Sequence, residues 1–237
     1  MLYIVPTPIG NLQDITLRAL ETLKTADAVL CEDTRRTQIL LSHFGFSKPL
    51  YRYNENDDRS VEKCLEALKN GKNCALVSDC GTPCISDPGW KLVKRAVEEG
   101  IKVSSLPGPS AVACALAGAG ITGGAFTFLG FLPRKPGKAA KLISAAYALN
   151  HPVVLYESPY RVVKMLELNS KTLGEQTPMV LARELSKVYE EWLRGTAQTL
   201  AEELGKKTKV QGEFVMIIDR PHTEEEEEPQ DAQNPYF

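Results

Sequence analysis

The 237-residue chain has no run of 18 consecutive apolar residues, and its first ten residues, MLYIVPTPIG, lack a basic start and a long apolar stretch. These absences argue against a membrane-spanning helix and a secretory signal. The histidines, His43, His151 and His222, are scattered, and no second pair accompanies Cys80 and Cys84, whereas a structural zinc site usually needs two close pairs. We therefore expect a soluble cytoplasmic protein without a bound metal.

Phosphate-binding signatures are also missing. There is no G-x-x-x-x-G-K-[ST] segment and no G-x-G-x-x-G after a predicted strand, which weakens a nucleoside-triphosphate or dinucleotide interpretation. The six cysteines are dispersed, unlike the dense frameworks of small secreted domains, and indicate a reducing compartment. We interpret Cys80 and Cys84, four residues apart in SDCGTPCISDPG, as small, weakly polar side chains.

The net charge of −2 is unevenly distributed. The segment 219–237 holds seven of the 30 acidic residues and one of the 28 basic ones, so residues 1–218 carry a net charge of +4. A mildly basic body is compatible with a polyanionic partner without requiring one.

The order of strand-like and helix-like segments differs between the two halves of the chain. Up to GAGITGGA, short apolar runs such as LYIV and CALV alternate with amphipathic stretches, which predicts a mostly parallel α/β sheet. Beyond it, strand-like segments are more frequent, and PMVLARELSKVYEEWLRG is interpreted as longer β structure, which favours a mixed α+β domain. We expect an N-terminal α/β domain at 1–118, a mixed α/β domain at 124–219 and an acidic disordered tail at 220–237.

Three loops rich in Pro and Gly follow three of the predicted strands. They are VPTPIGNLQD, SDCGTPCISDPG and LPGPSA. The carboxyl ends of parallel strands meet at one edge of a sheet, where open α/β sheets bind ligands, so the loops predict a pocket made largely of backbone. Taken singly, each loop could equally be an ordinary turn.

Seven segments in register resemble one known family. They are VPTPIGNLQDITLRAL, CEDTRRT, SDCGTPCISDPG, LPGPSA, GFLPRK, YESPYR and ARELSKVYEE. Together they look like the RsmI family, the 16S rRNA 2′-O-ribose methyltransferases of the tetrapyrrole-methylase-like superfamily. The resemblance implies two α/β domains with S-adenosyl-L-methionine in the cleft between them, a homodimer, and methylation of a cytidine ribose in the decoding region of the small ribosomal subunit.

The resemblance also implies the cofactor contacts. They come from the three loops and from two positions beside second-domain motifs: Pro8, Ile9, Gly10, Asp79, Cys80, Gly81, Thr82, Ser110, Ala111, Tyr156 and Ala182. Small and Pro-rich residues suit a cofactor that main-chain atoms hold.

Glu32 and Asp33 of CEDTRRT are the candidates for the base that takes the proton of the 2′-hydroxyl. Both follow a predicted strand. Asp33 could instead cap the helix that Thr34 begins, because Asp is a favoured N-cap. Direct proton transfer to solvent or to a phosphate is equally open.

Basic residues attached to the motifs are the expected RNA contacts, since arginine suits phosphate binding. They are Arg35, Arg36, Arg134, Lys135, Arg161, Arg183 and Lys187. Each group could also be an ordinary solvated face. Tyr156 and Tyr160 are candidates to stack on an unpaired base, whereas core packing is favoured for Phe131.

Two other functions stay open at this point. A methyltransferase of the same fold could act on a tetrapyrrole or on a protein acceptor. A protein of another class, a non-catalytic ribosome-assembly factor, could bind rRNA without a cofactor.

Overall fold

The computed structural model describes residues 1–121 and 124–220. Ten strands are described: β1 Leu2–Ile4, β2 Ala28–Cys31, β3 Leu50–Arg52, β4 Cys74–Leu76, β5 Val103–Ser105, β6 Thr127–Phe131, β7 Val153–Glu157, β8 Pro178–Arg183, β9 Glu191–Thr196 and β10 Phe214–Ile218. Eight α-helices are described: α1 Leu17–Thr25, α2 Thr34–His43, α3 Asp58–Lys69, α4 Trp90–Glu98, α5 Ala111–Ala119, α6 Pro136–Tyr147, α7 Val162–Leu173 and α8 Ala197–Gly205.

The first sheet has the strand order β3-β2-β4-β1-β5, and every strand pair with a recorded register is parallel. Successive side chains of a strand point to opposite faces. Leu30 and Leu76 accordingly pack with α3 and α4 on one face, while Val29 and Ala75 pack with α1 and α2 on the other. Helices therefore cover both faces of this sheet.

This arrangement locates the point in the sheet where the connecting helices change from one face to the other. The chain leaves β1 and β2 for helices on one face and leaves β4, which lies between them, for a helix on the opposite face. The crevice outside the carboxyl ends of strands at such a point is the usual ligand site of an open α/β sheet.

Local sequence explains the helix boundaries near this edge. Asp33 accepts a hydrogen bond from the Arg35 N–H at 2.8 Å and is the N-cap of α2. The helix ends at His43, and Gly45 follows with φ of +76°, as the Thr34 and Gly45 signals predict.

The second sheet has the order β6-β7-β10-β8-β9. β6 and β7 are parallel. β8 and β10 run antiparallel, because the Asp219 N–H donates to Pro178 O and the Glu184 N–H donates to Glu213 O, both at 2.9 Å. The mixed sheet and the parallel first sheet confirm the predicted fold class.

The chain packs as two compact units. The first contains residues 1–120 together with 182–192 and 212–215 from late in the sequence, and the second contains the other described residues. The expected division at 1–118 and 124–219 stays a prediction.

Three details differ from or extend the sequence interpretation. The short edge strand β3 carries too little apolar pattern to be noticed. PMVLARELSKVYEEWLRG is not continuous β structure, because residues 184–190 form a loop between β8 and β9 in which Glu184 and Ser186 have positive φ. The predicted tail lies outside the described residues except for Arg220.

No helix in the described ranges is long and apolar enough to cross a membrane.

Candidate functional site

The loops that follow β1 and β4 are joined by their backbones. Thr7 and Gly81 each donate an N–H to the carbonyl of the other, at 2.9 and 3.0 Å. Gly81 has φ of +81°, and a Cβ there would lie 3.2 Å from Ile9 Cγ2. Glycine adopts this positive φ without strain and has no Cβ to contact Ile9, so the hydrogen-bonded pair Thr7–Gly81 depends on a glycine at position 81.

The loop after β5 joins the same group. The Thr82 hydroxyl donates to Pro109 O at 2.9 Å, and a Cβ on Gly108 would lie 2.7 Å from Pro6 Cβ. The three Pro/Gly loops therefore meet at one sheet edge, as the sequence predicts.

The loop between β8 and β9 packs against this group within the first unit. A Cβ on Gly10 would lie 2.9 Å from Leu185 O and would overlap the Lys187 side chain. The Lys187 ammonium pairs with Glu184 at 2.8 Å and with Glu213 at 2.9 Å. The two carboxylates raise the Lys187 pKa against the opposing effect of desolvation, which is the larger single influence on the group. Sequence reasoning missed this fourth loop as a neighbour of Gly10.

A cleft of about 230 Å³ opens at the point where the winding reverses. Its apolar lining consists of Pro8, Leu12, Ile39 and Leu40, and its polar lining consists of Thr7, Arg36, Thr37, Ser78 and Asp79. The Thr7 hydroxyl donates to Ser78 O and the Ser78 hydroxyl donates to Gly81 O, which stiffens the cleft wall. The cleft thus combines an apolar side with one cation and one anion.

The expected cofactor residues fall into two groups. Those of the first unit are Pro8, Ile9, Gly10, Asp79, Cys80, Gly81, Thr82, Ser110, Ala111 and Ala182. The structure assembles the members on the three loops through the bonds described above. Ala182, at the end of β8, is fully buried. Tyr156 belongs to the second unit, where its ring contacts Phe128 and Phe131 with centroids 5.0 and 5.5 Å apart.

The two candidate bases differ in environment. Asp33 caps α2 and pairs with the Arg35 guanidinium at 2.9 Å. The side-chain and backbone hydrogen bonds from Arg35 lower the Asp33 pKa to about 2. A carboxylate with so low a pKa is a weak proton acceptor. Glu32 is exposed at the end of β2 and has no such partner among the described residues.

Asp87 is a titratable residue at this edge that the sequence interpretation passed over. Burial and the nearby carboxylates of Glu32, Asp79 and Glu213 raise its pKa to about 6, with burial the largest cause. The Asp-Pro-Gly pattern looks like an ordinary turn. Asp79 shares the loop after β4 with Asp87, but Glu32 and Glu213 come from distant segments and the largest cause is burial, so the sequence alone held little signal for this shift.

The expected RNA contacts also differ in environment. Arg35, Arg36, Arg134 and Lys135 are exposed. Arg183 is half-buried and pairs with Glu191 at 2.9 Å, and Lys187 is paired as described. Of the exposed residues, Arg35 pairs with Asp33 and Arg36 lies 3.5 Å from Asp79. Arg134 and Lys135 have no acidic partner among the described residues and are better placed to bind a phosphate.

The Arg161 side chain contacts other residues of the second unit. Its guanidinium donates to Leu132 O at 3.2 Å and lies 3.3 Å from the buried Glu157 carboxylate. This arrangement ties the segment before Arg134 and Lys135 to the start of α7, so the residue positions a basic segment.

The cysteines of SDCGTPCISDPG are free thiols. The Cys80 thiol donates to Ile9 O at 3.5 Å. Desolvation raises the pKa of Cys80 and of Cys84 to about 11, so both are protonated at neutral pH. No group of three or more potential metal ligands occurs within residues 1–121 and 124–220.

Comparison with known proteins identifies structures of the same fold and a matching family. The uroporphyrin-III C-methyltransferase from Thermus thermophilus, solved in complex with S-adenosyl homocysteine, has the same fold, with a TM-score of 0.65 and 18% identity over 92% of this chain and 96% of that one. Residues 1–201 match the tetrapyrrole (corrin/porphyrin) methylases.

The nearer relatives carry another name. Ribosomal RNA small subunit methyltransferase I from Hydrogenobaculum sp. is 42% identical over 94% of this chain and 96% of its own length. The protein of that name from Escherichia coli O157:H7 is 43% identical over 98% of this chain and 82% of its own length. The chain therefore belongs to the tetrapyrrole methylase family, in the branch of these ribosomal RNA methyltransferases, and the resemblance is confirmed.

Proposed function

We propose that the protein transfers a methyl group from S-adenosyl-L-methionine to small-subunit rRNA, at the ribose 2′-hydroxyl of a cytidine in the decoding region. The observation that carries this proposal is the meeting of the three Pro/Gly loops at one sheet edge, in a chain whose relatives are named ribosomal RNA small subunit methyltransferases. The relatives' names favour rRNA over a tetrapyrrole or protein acceptor.

The loops suit a cofactor held by main-chain atoms. The crowding at Gly10, Gly81 and Gly108 comes from neighbouring loops, so these glycines allow the loop backbones to pack closely against one another. The proposed contacts are Pro8 to Gly10, Asp79 to Thr82, Ser110 and Ala111, with Tyr156 and Ala182 from the second half of the chain, and Asp79 contributes its main chain. S-adenosyl-L-methionine supplies an activated methyl group on a sulfonium.

The chain's own residues then provide orientation and proton removal. Rigid loops that fix the acceptor oxygen relative to the methyl group supply an effective concentration. Of the two candidate bases, Glu32 fits better, because the Asp33 carboxylate is engaged by Arg35. Solvent remains the alternative acceptor of the proton.

RNA would be held by the exposed cations. On the first unit these are Arg35 and Arg36. On the second, Arg134, Lys135, Lys138 and Lys141 are exposed, and no acidic residue occurs between Glu99 and Glu157. Tyr160 and Phe131 are 89% and 60% exposed, so the core packing favoured for Phe131 from the sequence is wrong, and both rings are available for stacking on a base.

The assembly, location and domain limits belong to the same proposal. We propose that the protein acts as a homodimer in the cytoplasm, on rRNA or on an assembled small subunit, with domains at 1–118 and 124–219. Light scattering coupled to size-exclusion chromatography measures the assembly directly.

The decisive experiment is in vitro methylation of small ribosomal subunits from cells that lack the gene. Purified protein with S-adenosyl-L-methionine should add one methyl group, which mass mapping should place on the ribose of a decoding-region cytidine. Methylation elsewhere, or none, would overturn the proposal.

A matched glycine pair tests the loop model of cofactor binding. Gly81 and Gly71 both have φ of +81°, but the position beside Gly71 is open. Alanine should cost each about 1–2 kcal/mol of backbone strain, and only Gly81→Ala should weaken S-adenosyl-L-methionine binding in calorimetry. Equal cofactor affinity in the two variants would contradict the model.

A further inference from the structure

The cleft beside Arg36 and Asp79 borders the first two Pro/Gly loops, which contribute Thr7, Pro8, Ser78 and Asp79 to its lining, and it extends from them to α2. It lies at the carboxyl end of β4, and its polar side combines the charged Arg36 and Asp79 with three hydroxyl side chains. Its volume of about 230 Å³ is below the range of about 300–1,000 Å³ that drug-sized ligands occupy. One nucleobase with part of its ribose fits this space better than a whole cofactor.

The Asp79 carboxylate has unused hydrogen-bonding capacity. Its Oδ1 atom is buried without a partner, and its Oδ2 atom lies 3.5 Å from an Arg36 nitrogen, beyond the 2.7–2.9 Å of a strong charged hydrogen bond. No other described residue donates to either oxygen. A carboxylate that is only 24% exposed, with one weak ion pair and no hydrogen bond, loses hydration with little compensation. A ligand that donates an N–H to Oδ2, or to Oδ1 after rotation of the carboxylate, would recover that loss.

Arg36 and the apolar side add two more requirements. The Arg36 side chain is 67% exposed, and apart from Asp79 its guanidinium contacts no acid among the described residues. It is therefore available to a phosphate. Ile39, 69% exposed, and Leu12, 37% exposed, leave apolar surface open on the other side, where the face of an aromatic ring can pack.

We propose that this cleft binds the base of the acceptor nucleotide in RNA, with the exocyclic amino group donating to Asp79 and a neighbouring phosphate contacting Arg36. A carboxylate accepts a hydrogen bond from the amino group of cytosine and repels the carbonyl oxygen that uracil presents at that position. The cofactor carries amino groups and a carboxylate that also complement Asp79 and Arg36, so the volume of the cleft favours a nucleotide and the test has to measure cofactor affinity separately. The inference rests on the proposed function, and it makes Asp79 a specificity residue for the acceptor.

Asp79→Asn is the test, because it keeps the shape of the side chain and adds an N–H₂ donor. Methyl transfer is measured on small subunits that carry cytidine or uridine at the mapped nucleotide, and S-adenosyl-L-methionine affinity is measured by calorimetry. Wild type should prefer cytidine about tenfold or more, and Asp79→Asn should lose most of this preference while its cofactor affinity stays within about twofold. Arg36→Ala should raise the KM for both RNAs about equally. Asp58→Asn, on the exposed start of α3, is the control and should change neither property.

Two results would overturn the inference. One is an unchanged cytidine preference in Asp79→Asn, and the other is a loss of cofactor affinity with the preference intact, which would assign Asp79 to the cofactor. A wild-type protein that methylates neither RNA would instead contradict the proposed function, so the two failures are distinguishable. Thermal unfolding of each variant controls for misfolding, which the removal of a weakly paired carboxylate should not cause.

Discussion

The raised pKa of Asp87 predicts a pH-dependent gain in stability when its charge is removed. In the folded protein the carboxyl titrates at about 6, whereas the ordinary value is 3.8. The folded state therefore keeps a proton that the unfolded state releases as the pH rises from about 4 to about 6, and stability falls over that window. At about 1.36 kcal/mol per pKa unit the full cost is about 3 kcal/mol, and partial exposure reduces it. Asp87→Asn should be about 1–3 kcal/mol more stable than wild type at pH 8.

Urea unfolding at pH 8 and at pH 4 measures this difference. The gain should be present at pH 8 and nearly absent at pH 4, where Asp87 is protonated in the folded state. Asp33→Asn is the matched control of opposite sign, because the ion pair with Arg35 lowers the Asp33 pKa to about 2. Its stabilising effect is present above pH 3.8, so this variant should be less stable than wild type at pH 8. An equal gain for Asp87→Asn at both pH values would refute the electrostatic explanation.

Three further changes follow from the contacts described. Arg161→Ala should cost about 3 kcal/mol in urea unfolding, because it leaves the buried Glu157 carboxylate unpaired; a cost below about 1 kcal/mol would contradict this. Gly10→Ala should cost about 1–3 kcal/mol and weaken cofactor binding, since its Cβ meets the loop between β8 and β9, and unchanged affinity would argue against that contact. The double variant Cys80→Ala, Cys84→Ala should keep most methyl transfer with or without a chelator, and chelator-sensitive activity in wild type would revive a metal role.

Much of the fold could be predicted from local pattern. Short apolar runs and amphipathic stretches identify most strands and helices, because burial of one helix stripe or one strand face leaves a regular trace in the sequence. Strand β3 was not predicted, since Leu50–Arg52 is three residues long and lies at the sheet edge. The loop at 184–190 was not predicted, because the apolar residues of β8 and β9 on either side suggest one continuous β segment.

The candidate site was predictable only where its chemistry resides in the backbone. The Pro/Gly loops show their constraint in composition, so their meeting at one edge could be inferred. The packing of Gly10 against Leu185, the pKa of Asp87 and the weak Asp79–Arg36 ion pair all depend on residues far apart in sequence. Side-chain electrostatics of this kind arises only when the chain is folded.

The inclusion of 182–192 and 212–215 in the first unit has a consequence for synthesis. A ribosome that has made residues 1–120 has not yet made the segments that pack beside Gly10 and Cys80. At about 5–20 residues per second, translation reaches residue 215 about 5 to 20 s later. During that interval the nascent first unit lacks Leu185 and Lys187, which pack against Gly10, so the proposed cofactor site can be completed only after residue 187 has been made.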